Sequence, residues 1–182
     1  MKAYFILFAA LAWIGLTGQA VSADYTLHAG DQIQVSVWGE ETLDRDLIVL
    51  PDGSITFPLA GRIEVEGLTS TEVEARIAEG LNEAIPDPDV TIIIKAVSGN
   101  RVYVLGKVNK PGAYVLEAAM TTSQILSLAG GFERFADTGS IRILRNQDGK
   151  QTTIKFNYGR LFSGKGSQED IPLQAGDVIL VP

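Results

Sequence analysis

Apolar Ile33, Val35 and Val37 alternate with polar Gln32, Gln34 and Ser36, a period of two that predicts a strand with one buried face. Residues 47–50 then run into Pro51-Asp52-Gly53, where proline presets the second position of a turn and glycine suits the last. Ile55, Phe57 and Leu59 resume the alternation, so a hairpin-like unit is expected. From Thr69 the period changes to that of a helix. Val73, Ile77, Leu81 and Ile85 fall on one stripe, Thr69 with Glu72 forms a capping box, Leu68 and Val73 are placed as a hydrophobic staple, and Pro86 stops the run. One face of this helix must lie on a sheet. Two more strands are expected over 90–97 and 101–108, joined around Ser98-Gly99-Asn100, where a boundary between two modules is placed.

The second half repeats this grammar. Lys110-Pro111-Gly112-Ala113 fits a type II turn with proline second and glycine, at positive φ, third. Thr121 with Gln124 predicts another capping box, Met120 and Ile125 another staple, and Gly130-Gly131 a left-handed helix end. Residues 141–144 and 152–156 read as a hairpin around Asp148-Gly149, and 177–181 as a last strand. There is also an internal echo. The stretches 27–35 and 173–181 share L-x-A-G-D-x-I-x-V up to one apolar swap, too few copies for a solenoid. In each copy glycine permits a tight approach and aspartate bonds its own local backbone, so each launches a strand. A ligand role for Asp31 or Asp177 is the competing reading, and the structural one is preferred.

Composition adds a compartment. Lys2 gives the chain a positive start, residues 4–16 form an apolar stretch, and Val21-Ser22-Ala23 supplies an A-x-A-like exit, so a cleaved secretory signal peptide over 1–23 is expected. A bilayer crossing would need roughly 20 apolar residues, and Gly15, Thr17, Gly18 and Gln19 interrupt the run early. The 182 residues include no cysteine, which removes disulfides from the argument and, with them, lipid attachment through a cysteine. The formal net charge is −7. That sign argues against nucleic acid, and without a Lys/Arg cluster or basic amphipathic helix it disfavours anionic membrane surfaces too.

Catalytic chemistry finds few groups. The one histidine, His28, would have to centre any triad with Ser36, which lacks a nucleophile-elbow context. Zinc at His28 and Asp31 would want more ligands than carboxylates readily supply. Glycoside cleavage needs two carboxylates about 5–10 Å apart, and Glu40, Glu41, Asp44 and Asp46 share one short segment, but a solvated acidic loop explains them as well. No catalytic residue, metal site or cofactor is therefore expected. Trp38, Tyr103, Tyr114 and Tyr158 are candidate sugar contacts, since aromatic rings stack on sugar faces as readily as they pack cores. They carry the alternative reading of the chain as a periplasmic carbohydrate- or small-ligand-binding module.

The motifs taken in order carry a family likeness. L-H-A-G-D-Q-I-Q-V-S-V-W at 27–38, L-P-D-G-S-I-T-F-P-L-A-G-R-I at 50–63 and G-L-T-S-T-E-V-E-A-R-I at 67–77 resemble the N-terminal domain of polysaccharide export proteins. V-Y-V-L-G-K-V-N-K-P-G-A-Y-V-L at 102–116, A-G-G at 129–131 and A-G-D-V-I-L-V-P at 175–182 resemble a soluble-ligand-binding β-grasp (SLBB) domain, the usual companion module. The resemblance implies a periplasmic homo-oligomeric ring on the export route of capsular or extracellular polysaccharide, docked on an inner-membrane polysaccharide copolymerase. Long members of that family carry a lipidated cysteine and a C-terminal amphipathic helix that builds an outer-membrane pore. This chain lacks the cysteine and stops at Pro182, so it is expected to act as an adaptor that hands polymer to a separate outer-membrane channel.

The expectation is thus an α+β chain of two small modules with mixed sheets, each with one packed helix: an export domain over 24–98 and a β-grasp-like domain over 99–182. Its marked residues are turn and launch positions, Gly30, Asp31, Pro51, Asp52, Gly53, Gly106, Pro111, Gly112, Gly130, Gly131, Gly176 and Asp177, whose expected job is to fix the fold.

Overall fold

A computed structural model describes residues 24–147, 149–163 and 169–182. The expected signal peptide, 1–23, lies outside the described residues, as does Asp148 of the hairpin turn. Among the described residues, no helix is long and apolar enough to cross a membrane.

The first half is built on β1 (Gln32–Val37), flanked on both sides by antiparallel partners, β2 (Arg45–Ile48) and β5 (Val90–Ala96). Alternation along β1 buries Ile33, Val35 and Val37 completely or nearly so. Under that face lie a hairpin, β3 (Ser54–Phe57) with β4 (Gly61–Glu64), and the helix α1 (Ser70–Leu81). Both halves of the Thr69–Glu72 capping box are made. Val73, Ile77 and Leu81 point into a core shared with Leu27, Ile55, Phe57 and Ile92. From the helix, Glu74 Oε1 accepts the Ile92 N–H at 2.8 Å, which occupies a donor on the open edge of β5 that would otherwise be free to pair with another strand.

The structure corrects three details here. The Pro51-Asp52-Gly53 turn closes locally, with the Gly53 N–H on the Leu50 carbonyl at 2.9 Å, but it does not join a strand pair. β2 pairs with β1, whereas β3 pairs with β4. The alternation also ends at Phe57. Leu59 stands 65% exposed with φ 65° at the β3–β4 bend, because a second turn must fit before Gly61. The helix likewise stops at Leu81 rather than reaching Ile85, which packs against the same core from the turn beyond it.

The second half is one five-stranded sheet in the order β7-β6-β10-β8-β9, formed by β6 (Arg101–Gly106), β7 (Gly112–Val115), β8 (Ile141–Gln147), β9 (Lys150–Phe156) and β10 (Val178–Val181). The sheet is mixed, because β10 runs parallel to β6 and antiparallel to β8. The helix α2 (Thr122–Leu128) sends Ile125 and Leu126 into a core with Val102, Val104, Ile143, Phe156 and Ile179. It ends as glycines at 130 and 131 allow: the Gly131 N–H reaches the Leu126 carbonyl and the Gly130 N–H the Ser127 carbonyl, both at 3.0 Å, which is the Schellman pairing. The hairpin β8–β9 is longer than its hydrophobic pattern suggests, with pairing continuing to Gln147 and Lys150. A further helix, α3 (Tyr158–Ser163), has no counterpart in the sequence reading.

The type II turn expected at 110–113 is another correction. Gly112 is the first residue of β7, paired with Val104, and its φ of 157° is far from the roughly +80° of that turn's third position. The bend falls instead at Asn109 and Lys110, ahead of Pro111.

Candidate functional site

Beyond Val37 the backbone turns at once. The Glu40 N–H donates to the Val37 carbonyl at 3.0 Å, and the Leu43 N–H to the Glu40 carbonyl at 2.8 Å, within a 3-10 turn at Glu41–Leu43. Leu43 is drawn into the first core, and Asp44 Oδ1 accepts the Val37 N–H at 3.4 Å. These ties leave Trp38 on the outside, 86% exposed, with its own N–H on the Asp89 carbonyl at 2.9 Å. Single exposed apolar residues are ordinary on protein surfaces. This one borders a cleft of about 670 Å³ lined also by Ser36, Thr42 and Thr91 and by the acidic residues Glu40, Glu41, Asp44 and Asp89.

The structure therefore gathers Trp38 with three of the four acids that stand out in the sequence. Asp46 lies elsewhere, on β2 opposite Gln34, and Asp89 joins from the loop before β5 without any local signal in the sequence. His28 belongs to a different place. It precedes β1 whereas Ser36 lies near its end, and four residues of strand at 3.2–3.4 Å each put about 13 Å between those ends. The His28 ring meets Tyr25 at 5.7 Å between centroids, and its Nδ1 is buried with no hydrogen-bond partner among the described residues. Among the described residues, no three His, Asp or Glu side chains gather as metal ligands would.

The two copies of the internal echo build matching turns. Gly30 and Gly176 take φ of 97° and 84°, and the Asp31 and Asp177 N–H groups reach the His28 and Gln174 carbonyls at 3.0 and 3.1 Å. Each fully buried carboxylate returns the contact, Asp31 Oδ2 accepting the His28 N–H and Asp177 Oδ2 the Gln174 N–H, both at 2.9 Å. Beyond this shared frame the copies diverge. Asp31 also accepts the Tyr25 hydroxyl at 2.5 Å and, through Oδ1, the Gly99 N–H at 2.8 Å. Burial, then the bond to Asp31 and its charge, push the Tyr25 hydroxyl far above the usual tyrosine range, so it remains a donor. Asp177 instead receives a two-pronged bond from Arg145, at 2.9 and 2.6 Å.

Both echoes close on the linker between the halves. Asp31 holds Gly99 from one side, and the Gly176 N–H donates to the Arg101 carbonyl at 2.8 Å from the other. A Cβ placed on Gly99 would lie 2.3 Å from the Ala29 carbonyl oxygen, so the linker passes this turn with no room for a side chain. Sequence reasoning places Gly99 at the module boundary but not against Asp31, and it does not mark Arg145. A signal for Arg145 exists: it shares the strand parity of buried Ile141 and Ile143, and an inward-facing cation must meet an anion.

The remaining marked residues scatter. Asp52, after Pro51, accepts the Ser54 hydroxyl at 2.6 Å and N–H at 3.1 Å and pairs with Arg62 at 3.0 Å; the Ser54 bonds above all, with the Arg62 charge, hold its carboxyl below its ordinary range. Gly53 takes φ 76°. Gly106, φ 98°, lies against β10, where a Cβ would come 1.9 Å from the Val181 carbonyl oxygen. Pro111 leads into β7. Of the other aromatic candidates, Tyr103 faces outward on β6 at 42% exposure beside the linker, Tyr114 shares the core face of Val102, and Tyr158 packs edge-on against Phe132 at 4.8 Å. The four candidate sugar contacts thus do not converge on one site, and Trp38 alone borders the acidic cleft.

Comparison with known proteins matches residues 19–95 to the family described as polysaccharide biosynthesis/export protein and 101–155 to the SLBB domain. The EPS I polysaccharide export outer membrane protein EpsA of Ralstonia nicotianae is 32% identical over 158 residues, 86% of this chain and 40% of that protein. The polysialic acid transport protein KpsD of Escherichia coli is 30% identical over 145 residues, 78% of this chain and 25% of that protein. The exopolysaccharide production protein ExoF of Rhizobium meliloti is 25% identical over 196 residues, 95% of this chain and 46% of that protein. The chain thus spans less than half the length of these relatives.

Proposed function

The chain belongs to the polysaccharide export family, and from that premise we propose that it is a non-catalytic periplasmic component of capsular or extracellular polysaccharide export. In this reading it is an oligomeric adaptor or conduit between an inner-membrane copolymerase and a separate outer-membrane channel. The observation that carries the proposal is the ordered match of both modules to one export architecture, the export domain followed directly by the SLBB domain. The division falls at the linker that both echoes grip, with the export domain over 24–98 and the β-grasp-like domain over 99–182. The 1–23 leader would supply the route to the periplasm.

Two features of the surface support the role. The cleft beside Trp38 is open and its acids sit on a surface loop, which suits a polymer in passage better than one bond held for cleavage. The outer face of the second sheet exposes Tyr103, Leu105 and Val115, apolar area suited to contact between subunits. Deleting the gene in the producing cell is expected to abolish polysaccharide outside the cell and leave polymer within; normal secretion in that strain would remove the export role.

A further inference from the structure

We propose that the Trp38 cleft is a glycan-contact subsite selective by charge, accepting neutral or amino-sugar stretches of polysaccharide and turning away carboxylated ones. The proposal rests on the export reading, which brings polysaccharide past this surface. It names the chemical class the surface favours.

The argument starts from the indole. Its flat apolar face, 86% exposed and bordering a cleft of about 670 Å³, suits the C–H face of a pyranose ring. The rim then decides which sugar. Around Trp38 stand Ser36, Thr42 and Thr91 with the acidic residues Glu40, Glu41, Asp44 and Asp89, and among the described residues no lysine or arginine lines the cleft. Ionised carboxylates only accept, so they match sugar hydroxyls that donate, and such charge-assisted bonds are the stronger kind. An amino sugar gains more, since its ammonium meets both the carboxylates and the indole face. A uronic acid brings like charge to a rim whose described residues include no cation, and that unpaired repulsion discriminates. The same acids disfavour anionic lipid head groups.

The site is also held in shape before any ligand arrives. Leu43 in the core, the Glu40–Val37 and Leu43–Glu40 bonds and the Trp38–Asp89 bond fix the loop, so little ordering is left for binding to offset. One stacked ring with a few hydrogen bonds gives weak, rapidly released contact. A conduit needs that, because a moving chain must leave every site it touches.

The test uses the full chain carrying Trp13→Phe, which leaves Trp38 as the remaining indole of the two in the sequence. Its emission is titrated at low salt with hexasaccharides of glucan, mannan, galactan, N-acetylglucosamine, glucosamine and galacturonate. At least one neutral or amino-sugar hexamer is expected to shift the emission with a Kd on the order of 1 mM, while the galacturonate hexamer leaves it unchanged. Trp38→Ala, followed through broadening of the glycan's NMR signals, should weaken binding roughly tenfold. Glu40→Gln with Glu41→Gln and Asp89→Asn should admit the galacturonate hexamer; Asp44 is spared because it ties the loop to Val37. Silence across the whole panel, or galacturonate binding as well as the neutral sugars, overturns the proposal. Failure of the panel alongside lost secretion in the deletion strain sinks the subsite alone; binding alongside normal secretion sinks the export reading instead.

Discussion

Asp31 and Asp177 are both 0% exposed, and what makes such burial affordable is the number of donors each collects. The pair of Asp177 with Arg145 is the more exposed to loss, since removing one member of a buried pair leaves the other charge without an answer. Arg145→Met would leave Asp177 with the Gln174 N–H as its remaining side-chain contact, so a loss of about 3 kcal/mol is expected, read as a fall in the urea midpoint at unchanged slope. The local half of both sites is legible in the sequence: glycine ahead of aspartate ahead of an alternating strand specifies the turn. The distant half is not, because Gly99 lies 68 residues from Asp31 and Arg145 lies 32 from Asp177. A period of two turns Arg145 inward without saying which anion it meets, and neither that period nor 3.6 records the Gly99 contact. The Trp38 cleft divides the same way, with 36–44 contiguous in sequence and Asp89 brought in only by the pairing of β5 with β1.

Among the elements, caps and strand alternation are readable because each depends on a few neighbouring residues, whereas strand order depends on the whole chain. The capping box of α1 illustrates the readable kind and gives a pH prediction. Bonds from the Thr69 N–H, then from its hydroxyl, hold the Glu72 carboxyl below its ordinary 4.5. A carboxyl depressed on folding adds stability above its unfolded pKa that disappears as pH falls through the folded one. The melting temperature of Glu72→Gln should therefore lie below that of the parent at pH 7, with the gap closing below about pH 4. In α2 the start is tied from afar: Asp170 accepts the Ser123 N–H at 3.2 Å and the Ser123 hydroxyl, and the Thr122 N–H donates to the Ile171 carbonyl at 2.9 Å. Asp170→Ala should cost on the order of 1 kcal/mol in chemical unfolding. The parallel pairing of β6 with β10 joins strands at the two ends of the module and has no local signature. It is where glycine matters most, since Gly106 combines φ 98° with the Val181 carbonyl against its Cα. Gly106→Ala should lose about 3 kcal/mol through overpacking and backbone strain.

In the whole molecule the two hydrophobic cores are separate, one drawn from residues 27–92 and the other from 102–181. At the linker between them Asp31 holds Gly99 and the Gly176 N–H holds Arg101. The proposed assembly would need each pair of modules at one angle, and short polar clamps on a glycine contribute to holding it. Asp31→Ala takes away the acceptor for Gly99, Tyr25 and His28 at once while touching nothing in the second core. Amide hydrogen exchange is then expected to accelerate across 32–37 and 90–96, with residues 102–106 and 178–181 keeping their protection. Equal acceleration in both halves would mean that the cores unfold as one unit. In that case the clamp would be a minor part of a larger interface, and the linker would not set the angle.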